Sequence, residues 1–306
     1  LLNYTPRSIS SSKACLKLNL TTTAVNGVYP SSITLKSGAV CTGGNFIWNT
    51  LNDVTVAVNT TTGAAEFDNL TVYEGSVLNF TYIVNTFARQ VYTIPSQDVD
   101  IDTLTVKIKS NESSTASDIY SKVDIVTNLT ATSKSYFVSE GEDMRYEVRF
   151  GDDSVGRAVK DGEVIDLQYL TTSGASANEV SRFAFVGRLI DSFGTSYSGA
   201  VATLTTKERS QQGTAAESIE SIKYNAPRFY SSQYRAVTAQ DYALITKQIY
   251  SNADTVVAYG GDSLNPPIYG KVFITVRTKT GSTLNDITKR QLSLDLRKYA
   301  MAAIDP

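Results

Sequence analysis

Between residues 13 and 94 the chain is a succession of brief β-prone stretches cut by glycines. Residues 33–36, 46–49, 54–58, 65–67, 70–73, 77–84 and 90–94 are each rich in β-branched and aromatic side chains. Gly38, Gly43, Gly44, Gly63 and Gly75 punctuate them. Short strands at this spacing predict an antiparallel sandwich or barrel-like body. Within 77–84 the alternation of apolar and polar residues is imperfect, which predicts a strand buried on both faces.

A boundary is expected at Pro95–Gln97. After it, Val99, Ile101, Leu104, Val106 and Ile108 alternate with polar residues, but the phase slips near Asp102 and Thr103, as a β-bulge would make it do. Residues 111–117 are polar and read as an exposed loop, and 119–150 supply further strands. A second boundary is expected at Thr206–Thr214. The fold class is therefore α+β and mostly β: a β-sandwich-like domain over 1–96, a second antiparallel β domain over 97–210, and a small α+β domain over 211–306.

That last domain holds the clearest helix start. Thr238 is placed to cap a helix over 238–250, and Asp241, three residues on, completes a capping box. Val237 and Tyr242 are spaced for a hydrophobic staple, and Tyr242, Ile245 and Ile249 form one apolar stripe. A short helix is expected over 215–224, with Pro227 separating it from an irregular or helical 226–234. Strands at 256–259 and 272–278 and a helix over 287–304 complete two helices on one sheet face.

Several of these strings together resemble the baseplate J-like family of contractile-tailed phages and related injection machines. They are R-A-V-T-A-x-D-Y at 235–242, with Glu217–Glu220 and Ala226-Pro227-Arg228 before it, and F-G-D-x-x-x-G-R at 150–157 running on to Ala177-Asn178. Residues 46–50, 70–75 and 89–95 resemble its N-terminal β-segment. The resemblance implies a wedge protein of the T-even type, in the virion tail baseplate and assembled in the host cytoplasm. It implies no catalysis and no cofactor, and as partners a homodimer or ring-forming homo-oligomer and sibling wedge proteins. The chain begins with Leu1 and ends before the final strand usual in the family, so a C-terminal fragment is expected.

Composition narrows the chemistry. There is no histidine, which removes Ser-His-Asp and Cys-His sites from this segment, and two cysteines cannot close a structural zinc site. Cys15 and Cys41 are expected to be free thiols, with Cys15 facing away from the core. No phosphate-binding glycine motif occurs, and no apolar run is long enough to cross a membrane. Net charge is 0 over residues 1–110, −6 over 111–219 and +4 over 220–306. That basic excess is too small to argue for nucleic acid.

Asp98, Asp100 and Asp102 either share a cation or sit on a solvated strand entry; Asp152-Asp153 either supply half a carboxylate pair or cap a turn. Seven N-x-[ST] sequons, at Asn3, Asn19, Asn59, Asn69, Asn79, Asn111 and Asn128, read as a product of composition. They are also what a secreted, glycan-binding adhesin would carry, and that is the competing class. No catalytic or metal-binding residues are assigned. The candidate site is an interaction surface at Arg228, Phe229, Tyr230, Tyr234 and Arg235, residue types enriched at protein interfaces. The same residues also suit a core patch under the helix, with the arginines snorkelling.

Overall fold

In Lys13–Thr21 (β1), Ala14, Leu16, Leu18 and Leu20 are buried on one face, while Lys13, Cys15, Lys17 and Asn19 are half-buried on the other. The period of two decides which side faces the core. The computed structural model describes residues 4–123, 129–198, 202–232, 235–250, 252–279, 284 and 286–300. After β1 come β2 (Ser32–Leu35), β3 (Gly38–Gly43), β4 (Phe46–Thr50), β5 (Val54–Ala57), β6 (Ala64–Glu74), β7 (Ser76–Ile83), β8 (Tyr92–Thr93), β9 (Val99–Lys109) and β10 (Asp118–Lys122). Then follow β11 (Ser135–Glu140), β12 (Tyr146–Phe150), β13 (Val164–Thr171), β14 (Ala184–Phe185), β15 (Leu189–Asp191), β16 (Ser196–Tyr197) and β17 (Ala202–Gln211). The last elements are α1 (Ile219–Ser232), α2 (Ala239–Ile249), β18 (Ala253–Gly260), β19 (Val272–Thr278) and α3 (Asp286–Arg297).

Two sheets enclose the first core. One is ordered β14-β3-β4-β6-β1-β17 and the other β16-β15-β2-β5. Leu16, Leu18, Ile33, Leu35, Trp48 and Phe67 are fully buried between them, and burial of each such side chain is worth about 2 kcal/mol. The second core is built on a seven-stranded sheet, β7-β13-β9-β10-β11-β12-β8, antiparallel apart from the β10–β11 pair. An edge-to-face aromatic run, Phe80–Tyr82–Tyr92–Phe150–Tyr120, threads this second cluster with centroids 4.9–5.7 Å apart.

These pairings cut across the consecutive segments 1–96 and 97–210. Residues 76–94 belong to the second core, while 177–204 return to the first, where β17 pairs with β1. The second β body is thus inserted into the first. The crossings between the two β bodies lie at Gly75 and at Thr172–Gly174, not at Pro95–Gln97; β17 ends at Gln211, within Thr206–Thr214, before the chain goes on to α1. Strand pairing between residues far apart in sequence overrides local composition as the mark of a boundary.

The phase slip near Asp102–Thr103 is a true irregularity. Gln168 faces Thr105 and Leu170 faces Asp100, so β9 carries extra residues there. The Thr103 hydroxyl donates to the Asp100 carbonyl (2.7 Å) and accepts from Leu170 N–H (3.2 Å). By contrast, β7 is not buried on both faces. It lies at the end of its sheet, with Leu78, Phe80 and Ile83 exposed. Weak alternation reflects exposure there.

Pro227 does not end a helix: α1 runs through it. The missing N–H costs one helical bond. Burial of Ala226 and Phe229 on the core side offsets that loss, and Arg228 Nη1 donates to the Tyr224 carbonyl (2.7 Å) beside it. The third core is formed by Phe229, Ala236, Tyr242, Ile245, Leu292 and Leu296 against the β18–β19 hairpin. No described helix is long and apolar enough to cross a membrane.

Candidate interaction surface

The terminal α+β body is fixed from its cap upward. Thr238 Oγ1 accepts from Asp241 N–H (3.2 Å), and the Asp241 carboxylate accepts from Thr238 N–H (2.8 Å), so the capping box is closed in both directions. The staple is not: Tyr242 is buried, but Val237 is 68% exposed. Just before the cap, Ala236 is fully buried and donates its N–H to the Tyr299 carbonyl (2.8 Å).

Around this anchor the sequence-derived candidates separate. Phe229 is buried, with its ring edge-to-face against Tyr4 at 5.6 Å. Arg228 faces solvent, its guanidinium 3.6 Å over the Tyr224 ring. Tyr230 is 60% exposed and Arg235 is exposed, while Tyr234 lies outside the described residues. Phe229 is thus a core residue, whereas Arg228, Tyr230 and Arg235 lie on the exposed side.

Sequence reasoning missed the hub beneath them. Glu217, ahead of α1, has a fully buried side chain. Its carboxylate accepts from the Tyr4 hydroxyl (2.7 Å), Ser221 Oγ (2.6 Å), Asn225 Nδ2 (2.9 Å) and Arg7 N–H (3.2 Å). Burial alone would raise its pKa, but these donors bring it below the ordinary value. Burial, and then the bond to Glu217, push the Tyr4 phenol far up. The N-terminal segment continues as a strap across the other bodies. Thr5 Oγ1 donates to the Val138 carbonyl (3.3 Å), Tyr146 donates to the Pro6 carbonyl (3.1 Å), and Ile101 N–H donates to Ser8 Oγ (3.1 Å).

Three further carboxylates, those of Asp100, Glu74 and Asp152, are held by hydrogen-bond donors. Asp100 Oδ2 accepts from Ser11 N–H (2.8 Å) and Ser11 Oγ (2.7 Å), and burial still pushes its carboxyl up. Glu74 accepts from Thr172 Oγ1 (2.6 Å) and Ser173 N–H (3.1 Å) at the crossing between the two β bodies. Asp152 accepts from Ser154 and Val155 N–H (2.9 Å each), which is the turn-capping arrangement. The sequon residue Asn59 likewise caps a turn, accepting from Thr61 and Thr62 N–H (2.9 and 3.1 Å). No group of three metal-binding side chains occurs among the described residues. Cys15 and Cys41 are free; Cys15 is half-buried, and burial raises the Cys41 thiol to about 12.

Residues 238–306 match the family described as Baseplate structural protein gp6, C-terminal domain I. The match covers 69 of the 306 residues and locates the chain in the phage tail baseplate of the virion. The match opens on Thr238, the residue that caps α2, and takes in the β18–β19 hairpin and α3. No curated protein matches the chain. Baseplate structural proteins are in general not enzymes, and they work by assembling with other baseplate proteins. The matched stretch takes in the third body from α2 onward, while α1 and the two β bodies precede it.

Proposed function

We propose that this chain is a wedge subunit whose copies form part of a ring around the tail hub and rearrange when the tail contracts, with no catalytic role of its own. The observation that carries the reading is the baseplate-domain match over 238–306. The resemblance of 235–242 and 150–157 to baseplate J-like motifs extends it over the rest of the chain. Saturation of the buried carboxylates Glu217, Asp100 and Glu74 by hydrogen-bond donors supports a structural role.

The terminal body offers Arg228, Tyr230 and Arg235 to a neighbouring subunit. Arginine and tyrosine on a rigid support are common binding anchors. Arg235→Glu should weaken assembly with sibling wedge proteins while leaving the melting curve of the isolated chain unchanged. The measurement is co-assembly by light scattering and electron microscopy of the purified components. Assembly equal to the parent's would remove these residues from the interface, and failure of the parent itself to assemble would remove the wedge role.

A further inference from the structure

β7 occupies one end of the seven-stranded sheet and pairs only with β13, in unbroken register from Ser76–Thr171 to Ile83–Val164. About half of its backbone N–H and C=O groups therefore point away from the sheet, with no strand to receive them among the described residues. Natural edge strands are normally protected by charge, proline, bulges or shortness. The other long strands at sheet ends follow that rule: β17 carries Lys207, Glu208 and Arg209, β18 carries Asp254 and β19 carries Arg277. The strand Ser76–Ile83 has no charged residue, no proline and no bulge. It also exposes Leu78, Phe80 and Ile83.

An open backbone edge of this kind is completed by another extended strand. The order of side chains says which one. Read outward from Phe80, β7 is a palindrome of polarity: Asn79 balances Thr81, Leu78 balances Tyr82, and Val77 balances Ile83. We propose that β7 pairs antiparallel with β7 of a second copy of this chain, with Phe80 on the two-fold axis. In that register each apolar residue faces an apolar one and each polar residue a polar one. Cross-strand pairs of this type are what stabilise antiparallel sheets.

Two further features fit the same symmetry. Phe80 is held at the head of the aromatic run that passes through Tyr82 into the second core, so the axis residue is braced before any partner arrives. At one end of β7 stands Phe87, 97% exposed; at the other is an open hollow lined by Phe46 and Ile47 together with polar residues that include Glu74, Ser76, Asp98 and Thr172. Antiparallel pairing brings each Phe87 to the end where its partner's hollow lies, which is the reciprocity of an isologous interface. This contact gives the proposed wedge subunit a specific self-association surface, distinct from Arg228, Tyr230 and Arg235.

The test is sedimentation of the whole 306-residue chain across the micromolar range, comparing the parent with Asn79→Lys, Phe80→Lys and Thr205→Lys. Asn79→Lys leaves the aromatic run intact, and Thr205→Lys places the same charge on the charged edge strand β17. The parent should dimerise; the two β7 variants should raise the dimer Kd about tenfold or more, because lysines at position 80 oppose each other on the axis and lysines at position 79, each facing Thr81 of the second copy, are diagonal neighbours across it, and Thr205→Lys should not. Phe80→Cys should give a disulfide-linked dimer on oxidation, since directly opposed strand residues lie within bridging distance. A parent that stays monomeric, or a dimer indifferent to Asn79→Lys, overturns the proposal. Loss of the wedge role would instead appear as failure to bind sibling subunits, and it leaves this dimer measurement standing.

Discussion

The Tyr4 hydroxyl donates a 2.7 Å hydrogen bond to the Glu217 carboxylate, although the two residues are 213 positions apart in the chain. That bond, with Tyr4's ring against Phe229, ties the N-terminal strap to the terminal α+β body. Tyr4→Phe keeps the ring contact and removes the donor. A hydrogen bond to a buried charge contributes about 1.5–3 kcal/mol, but Glu217 keeps three other donors, so the expected loss lies near the lower end. The midpoint of urea unfolding, with an unchanged slope, measures it.

Glu217 also sets an acid limb. Its folded pKa is lowered, so its contribution to stability is complete above the unfolded glutamate value of about 4.3 and is lost as pH falls through the folded value. Glu217→Gln should be less stable than the parent at pH 7, and the gap should narrow below about pH 4. Unfolding free energies measured at several pH values check the sign. A gap that widens with acid would mean that the donors around Glu217 do not favour its charged form.

The sequence was most legible where the physics is local. The Thr238–Asp241 box depends on residues three apart and is closed as read, and the slip at Asp102–Thr103 is a break in a period of two that survives in the sheet. Non-local pairing was not legible. Nothing in 13–21 or 202–211 says that β1 and β17 lie side by side, so the insertion of one β body into the other was hidden, as was the Tyr4–Glu217 tie. The irregular pattern of 77–84 had two physical causes available, burial on both faces or exposure on both, and only the sheet order separates them. Pro227 was read as a stop because local rules disfavour it in a helix, and packing of Ala226 and Phe229 overrides that preference. Of the interaction cluster, its basic and aromatic types were legible, but not which side of α1 would be buried.

Thr103 closes the β9 bulge from inside. Its hydroxyl is the donor to the Asp100 carbonyl and the acceptor for Leu170 N–H. Thr103→Val keeps the shape and leaves both backbone groups without that partner in a buried place. About 2 kcal/mol should be lost, whereas Thr103→Ser should lose less than half as much. Hydrogen exchange at Leu170 gives a local reading: its amide should exchange faster in the valine variant, and that of Val106, further along β9, should change only as far as global stability does.

Gly75 is where the chain leaves the first β body for the second, and it has no room for a side chain. Its φ is +134°, a region that L-residues rarely enter, and a Cβ there would lie 2.2 Å from the Thr171 carbonyl oxygen. That oxygen belongs to the returning strand, so relief of the clash must separate the two crossings. The Gly75 carbonyl meanwhile accepts from buried Asn49 Nδ2 at 2.6 Å, and its N–H donates to the Ile47 carbonyl at 3.0 Å, which pins the backbone on the other side. With neither strand free to shift, Gly75→Ala should cost about 3 kcal/mol or more, combining backbone strain with lost contacts. The loss should fall on the junction: thermal unfolding followed by tryptophan fluorescence, which reports Trp48 in the first core, should separate from unfolding followed by the tyrosines of the second. Coincident curves with an unchanged midpoint would show that the two β bodies do not depend on this crossing.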